Sequence, residues 1–133
     1  MGEEFKKHLE HIKFEKYLNK LKKKFKDKKV IIYGVGSFFQ YIKNNYDLSF
    51  LNIIGVSDAK FSLSEEGEEF LGYKIIPKEK ITNYNPYCVL VATINYITIV
   101  EDFELNLLKN TKIKTYPIAR IPLIDLIKEV WSR

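Results

Sequence analysis

The run KKVIIYGVGSFFQYIKNN, residues 28–45, constrains the fold more than any other part of the chain. Val30–Tyr33 is apolar on both faces, which is the pattern of a central parallel strand covered on both sides. Gly34-Val35-Gly36 follows at once, and Ser37–Tyr46 then places Phe38, Tyr41 and Ile42 on one face of a helix. Strand, glycine turn and helix together are the geometry that a phosphate group needs. Gly34 allows a tight turn. Gly36, with no Cβ, lets a ligand come close to the backbone. The helix opening at Ser37 offers unpaired N–H groups and the positive end of its dipole.

The rest of the chain extends this unit. Residues 3–26 read as one long amphipathic helix, with an apolar stripe of Phe5, Leu9, Ile12, Leu18, Leu21 and Phe25. That stripe must be buried on its own domain or against a second copy, as a homodimer. Phe50–Val56 reads as a second strand and ends at Ser57-Asp58. Residues 59–72 are polar and acidic and read as a loop. Tyr73–Ile76 is a short third strand stopped by Pro77, and residues 78–83 suit a helical turn. Tyr87–Thr93 is a fourth strand, residues 96–109 a helix, Ile113–Pro117 a fifth strand and Leu123–Trp131 a closing helix.

Strands alternating with helices imply right-handed crossovers. The expectation is an α/β fold: a small three-layer Rossmann-like domain with a parallel five-stranded sheet in order 3-2-1-4-5. Residues 1–28 form an added N-terminal helix, residues 29–133 the domain, and the C-terminal helix is a second addition.

In such a sheet ligands bind outside the strand tips where the order reverses. Gly34, Val35, Gly36, Ser37 and Phe38 form one side of that place. Asp58 lies at the tip of the second strand, 22 residues after Gly36, where an acid meets ribose hydroxyls. Lys60 is near enough to soften the preference of Asp58 for an unphosphorylated ribose. Thr93 and Asn95, after the fourth strand, either hydrogen-bond a ligand or cap the next helix. One position departs from the usual turn. Phe39 stands where a third small residue should pack helix against strand, and it must push the helix away or turn its ring elsewhere. The other reading of the turn is a tight corner with no ligand.

The runs VIIYGVGSFFQYIK, NIIGVSDAKF, FLGYKIIPKEKI and YNPYCVLVAT resemble small Rossmann-like modules of bacterial surface-sugar biosynthesis proteins. Such modules form the N-terminal domain of sugar acyltransferases and the CoA- or NAD-binding-like domain ahead of nucleotide-sugar 4,6-dehydratases and sugar-phosphate transferases. The shared pattern is the glycine turn, Gly55 to Asp58 as G-x-x-D, and Phe70 to Ile75 as FLGYKI. The resemblance covers about residues 29–116. It implies a nucleotide- or nucleotide-sugar-binding module, with NAD or a UDP-sugar as ligand, acting in polysaccharide biosynthesis beside a larger sugar-biosynthesis protein. The alternatives are a small nucleotide-sugar-modifying enzyme completed by a partner subunit, and an interaction or oligomerisation protein with an empty turn.

Signs of catalysis are sparse. None of the nine tyrosines has a lysine four places on, as a short-chain dehydrogenase requires. Cys88, the single cysteine, lies inside an apolar strand and suits a core thiol. No histidine follows His11, so no Cys–His or Ser–His pair exists within the domain. His8 and His11, with Glu4 and Glu15, lack a clear third ligand for a metal. Glu65, Glu66, Glu68 and Glu69 read as a solvated loop.

Charge is uneven. Residues 1–29 carry a net +6 and the remainder a net −1, within a total of +5. The expected reading is a solvated lysine-rich helix face, with no nucleic-acid partner. The N-terminal residues MGEEFKKHLE hold no apolar run, and no stretch reaches the roughly 18 apolar residues of a membrane span. With one cysteine and no disulfide, the expected compartment is the cytoplasm.

Overall fold

The computed structural model describes residues 2–119. The expected helix Leu123–Trp131 lies outside them. Its framework is a four-stranded parallel sheet in which β1 (Lys29–Tyr33) is flanked by β2 (Asn52–Ser57) and β5 (Cys88–Val91), with β6 (Lys114–Pro117) outermost. Helices cover both faces, so the fold is Rossmann-like α/β.

Alternation along β1 builds the layers. Val30 and Ile32 point to one core, shared with Phe38, Phe39 and Ile42 of α3 (Ser37–Asn45). Ile31 and Tyr33 point to the other, shared with Ile76, Ile81, Phe103 and Leu108. That second face is covered by a 3-10 segment, Lys78–Tyr84, and by α4 (Tyr96–Asp102), which runs on into a π-helical turn, Phe103–Leu107. Cys88, Val89, Leu90 and Val91 are fully buried, as befits a strand covered on both sides.

The expected fifth strand is nearly lost. Residues 73–76 do lie beyond β2, on the side the order 3-2-1-4-5 requires, but only Ile75 makes a parallel bridge, to Val56. Tyr73–Lys74 (β4) instead pairs antiparallel with Glu69–Phe70 (β3). Leu71 and Gly72, both with positive φ, make the two-residue hairpin turn between them. Pro77 then ends the segment before a ladder can form. Gly55 lets this segment dock: a Cβ there would stand 2.4 Å from Ile76 Cδ1 and 2.9 Å from the Lys74 carbonyl oxygen. The acidic stretch is the expected solvated loop, with Glu66, Glu68 and Glu69 exposed, but two local contacts pin it. Glu65 closes a capping box with Ser62, and Glu66 accepts a hydrogen bond from the Tyr84 hydroxyl.

The N-terminal segment is two helices, not one: α1 (Gly2–His11) and α2 (Phe14–Lys24), with Lys13 left-handed between them at φ 55°. The reason lies in the stripe. At about 100° per residue, Phe5, Leu9 and Ile12 share one side of a straight helix, while Phe14, Leu18, Leu21 and Phe25 share the opposite side. Both sets can reach one core only if the helix breaks between them. Leu9, Phe14, Leu18, Leu21 and Phe25 are all buried in the core shared with Val30, Ile32 and α3. The Tyr17 hydroxyl also donates to the Pro117 carbonyl at 2.7 Å, tying α2 to β6. The stripe is thus spent on the chain's own core, and the argument for a homodimer through it falls away.

Two predictions follow from this packing. Each of those five side chains contributes about 1.5–3 kcal/mol by burial, so together they match the roughly 5–15 kcal/mol that holds a whole domain. A chain lacking residues 1–25 should therefore lose cooperative thermal unfolding; a sharp transition near that of the full chain would contradict the shared core. Burial also pushes the Cys88 thiol up to about 12, so almost no thiolate exists near pH 8. Alkylation by iodoacetamide at that pH should stay negligible in the folded protein and become rapid in denaturant.

Candidate functional site

The carboxyl ends of β1, β2 and β5 meet in a cleft of about 380 Å³. Its position follows from the backbone. The Gly34 N–H continues the β1–β2 pairing by donating to the Ser57 carbonyl at 2.8 Å. The chain then turns sharply at Gly34, where φ is +103°. A side chain is excluded there by space as well as by conformation: a Cβ would lie 2.8 Å from Thr93 Cγ2 and 3.2 Å from the Ala92 carbonyl oxygen. The tip of β5 is therefore packed directly on the glycine turn.

Asp58 locks the same corner from the other side. Its Oδ2 accepts from the Val35 N–H at 3.0 Å, and its Oδ1 from the Lys60 N–H at 3.1 Å. The Val35 carbonyl in turn accepts from Gln40 Nε2 at 3.0 Å. The turn is thus held at three consecutive points, Gly34 N–H, Val35 N–H and Val35 carbonyl, and α3 leaves it in a fixed direction.

Gly36 differs from Gly34. It is the N-cap of α3 with φ −75°, a conformation open to any residue, and a Cβ built on it meets nothing within 4 Å. No side chain caps the helix. The opening N–H groups of α3 therefore face open space with the positive dipole end behind them. Across the cleft, Asn95 sits at the N-cap of α4 but makes no side-chain capping bond. Thr93 Oγ1 is buried without a hydrogen-bond partner among the described residues. The capping alternative for these two side chains is not realised. Phe5 of α1, Phe38, Ile94 and Ile99 complete the wall and make it mostly apolar.

Of the residues expected at the site, Gly34, Gly36, Ser37, Phe38, Asp58, Thr93 and Asn95 line the cleft. Val35 does not: its side chain is fully buried in the core, and both of its backbone groups are committed to the turn. Nor does Lys60, whose ammonium lies over the Phe70 ring at 4.4 Å. Hairpin β3–β4 supplies that ring, and a cation rests better on its face than over open solvent. Phe39 takes the second of its two options. Its ring is fully buried against the core, 6.4 Å from the Tyr73 ring, and leaves the cleft clear.

Phe5 escaped the sequence reading. It belongs to the amphipathic stripe, but only the break at Lys13 swings α1 over α3, where its ring meets Phe38 edge-on at 5.3 Å. His8 packs its ring near Phe38 at 6.2 Å. Among the described residues no cluster of three or more His, Cys, Asp or Glu side chains is placed to hold a metal ion. Among them also, no helix is long and apolar enough to cross a membrane.

The chain is similar to solved proteins of distant sequence. One is RSP, crystallised in complex with β-NAD+ and operator DNA, at 16% identity and a TM-score of 0.47 over 90% of this chain. This chain spans 63% of the RSP chain. Another is UDP-D-quinovosamine 4-dehydrogenase from Vibrio fischeri, at 20% identity and a TM-score of 0.38, covering 77% of this chain and 85% of that one. No curated protein matches. The profile of one family, described as C2185-like, N-terminal, matches residues 26–116, from the end of α2 to β6. That description carries nothing about sugar biosynthesis. With the match extending over more than half its length, the chain belongs to the C2185-like N-terminal family.

Proposed function

We propose that the cleft binds a nucleotide or nucleotide-sugar, with NAD or a UDP-sugar as the leading ligand classes, and that the protein is a binding module of bacterial glycan biosynthesis. The observation that carries this reading is the notch at Gly36. Nothing in the protein requires a glycine there, since its backbone is ordinary and no atom crowds it. What a bare backbone provides at that point is room for a group from outside, directly over the uncapped start of α3. A phosphate suits the place by charge and by hydrogen bonding. The apolar wall of Phe5, Phe38 and Ile99 suits a flat ring. Thr93 Oγ1 and Asn95 offer polar contacts to a ribose or a sugar.

Asp58 has a double part in this reading. It fastens the turn through the Val35 N–H, and each carboxylate oxygen keeps a further lone pair for a ribose hydroxyl. Its charge disfavours a 2′-phosphate, so NAD should bind better than NADP. The surface-sugar setting rests on the FLGYKI and G-x-x-D resemblance.

A thermal-shift panel with NAD, NADP, CoA, UDP and several UDP-sugars tests the reading. A ligand at about 100 times its dissociation constant should stabilise the fold by roughly 2.7 kcal/mol. Gly36→Val should abolish the shift and lower the unliganded melting temperature only by what a poorer N-cap costs, about 1 kcal/mol; a shift retained in this variant would remove the proposed pose. Asp58→Ala should behave differently. Losing a hydrogen bond to a charged acceptor costs about 1.5–3 kcal/mol, so this variant should melt lower even without ligand, and unchanged melting would show that the turn does not depend on Asp58.

A further inference from the structure

The opposite end of the sheet holds a second cleft, also of about 380 Å³, lined by Lys28, Lys29 and Lys112 with Asp27, Asn85 and Tyr87 among its neighbours. It lies at the amino ends of β1, β5 and β6, roughly 16 Å along the strands from the glycine turn. Sequence alone placed the positive charge on a single N-terminal helix face. The fold does something else with it. Residues 22–29 and 109–114 are 80 positions apart, and the parallel pairing of β1, β5 and β6 brings them side by side. Lys29 lies beside Tyr87, whose N–H donates to the Lys29 carbonyl at 2.9 Å, and Lys114 stands opposite Cys88 in the next strand.

These two segments hold nine lysines and one aspartate, a net +8 in a chain of net +5, so the rest of the protein carries a net −3. All nine lysines are exposed. Among the described residues none of them makes an ion pair within 4 Å. The dipole of α2 accounts for the three lysines of its last turn. It does not account for Lys112 and Lys114, which come from another segment and reinforce the same field.

We propose that this end of the protein binds the phosphate backbone of a nucleic acid without reading its sequence. Charge complementarity selects a polyanion. The surface is concave at its centre. Its tyrosine faces are occupied by the protein's own lysines: Lys28 Nζ lies 5.1 Å from the Tyr87 ring centre and Lys24 Nζ 3.9 Å from that of Tyr116. Stacking on bases is thus not offered, and backbone contacts remain. An anionic membrane is the less suitable occupant, because stable attachment takes an apolar anchor beside the basic cluster. The exposed large apolar side chains of the described residues, Leu63, Ile97 and Leu105, lie in other segments.

The test is fluorescence anisotropy of the full chain with a labelled duplex of about 20 base pairs and arbitrary sequence, beside sedimentation with vesicles rich in phosphatidylserine. Duplex binding should appear at low salt and fall roughly 100-fold between about 50 and 200 mM, as expected for about four neutralised phosphates. Lys28→Glu with Lys29→Glu and Lys112→Glu should abolish it while leaving melting temperature unchanged. Lys112→Ala with Lys114→Ala, which touches neither β1 nor α2, should weaken it with a shallower salt slope. The proposal is overturned by no duplex binding at low salt, by binding that both variants retain, or by vesicle binding in its place.

Discussion

The hydrogen bond from the Val35 N–H to Asp58 is the contact on which the cleft depends. It joins the tip of β2 to the turn that follows β1, and so fixes where α3 begins. Without it the turn would be held only by the Gly34 N–H, the Gln40 bond to the Val35 carbonyl and the packing of Thr93. With it, three strand tips and two helix starts are set around one small volume. The bond is local, but its position comes from the whole sheet: β2 must be in register with β1 for Asp58 to arrive, and β5 must press on Gly34 to close the other side.

The two glycines of the turn divide the work. Gly34 serves the protein, because its φ and its neighbours exclude any side chain. Gly36 serves whatever enters the cleft, because the protein itself places no demand on it. This division separates folding from binding at adjacent positions. Asp58 crosses that line, being both fastener and cleft wall.

Much of this was legible in the sequence for a simple reason: the information is local. The apolar run Val30–Tyr33, the two glycines and the acid after β2 each act over a few residues, and the sheet order follows from alternation of strands and helices. What stayed hidden depends on contacts between distant segments. The break at Lys13 is forced by a core that two opposite apolar sets must share; taking Leu18, Leu21 and Phe25 as one stripe with Phe5, Leu9 and Ile12 conceals it. Tyr73–Ile76 has the residues of a strand, yet pairing with Glu69–Phe70 and the stop at Pro77 leave it one bridge. Lys60 is drawn away from the cleft by Phe70, ten residues on. The lysines of residues 22–29 looked like one helix face until Lys112 and Lys114 joined them across the sheet.

The most direct measurement of the central claim is an amide ¹⁵N–¹H titration of the labelled protein with NAD and, separately, with a UDP-sugar. Saturable shifts should be largest at Gly36, Ser37 and Phe38, with smaller ones at Asp58, Thr93 and Asn95, and none at Lys28, Lys29 or Lys112. Shifts centred anywhere else, or a spectrum unchanged by every nucleotide, would contradict the account of the glycine turn as a ligand site.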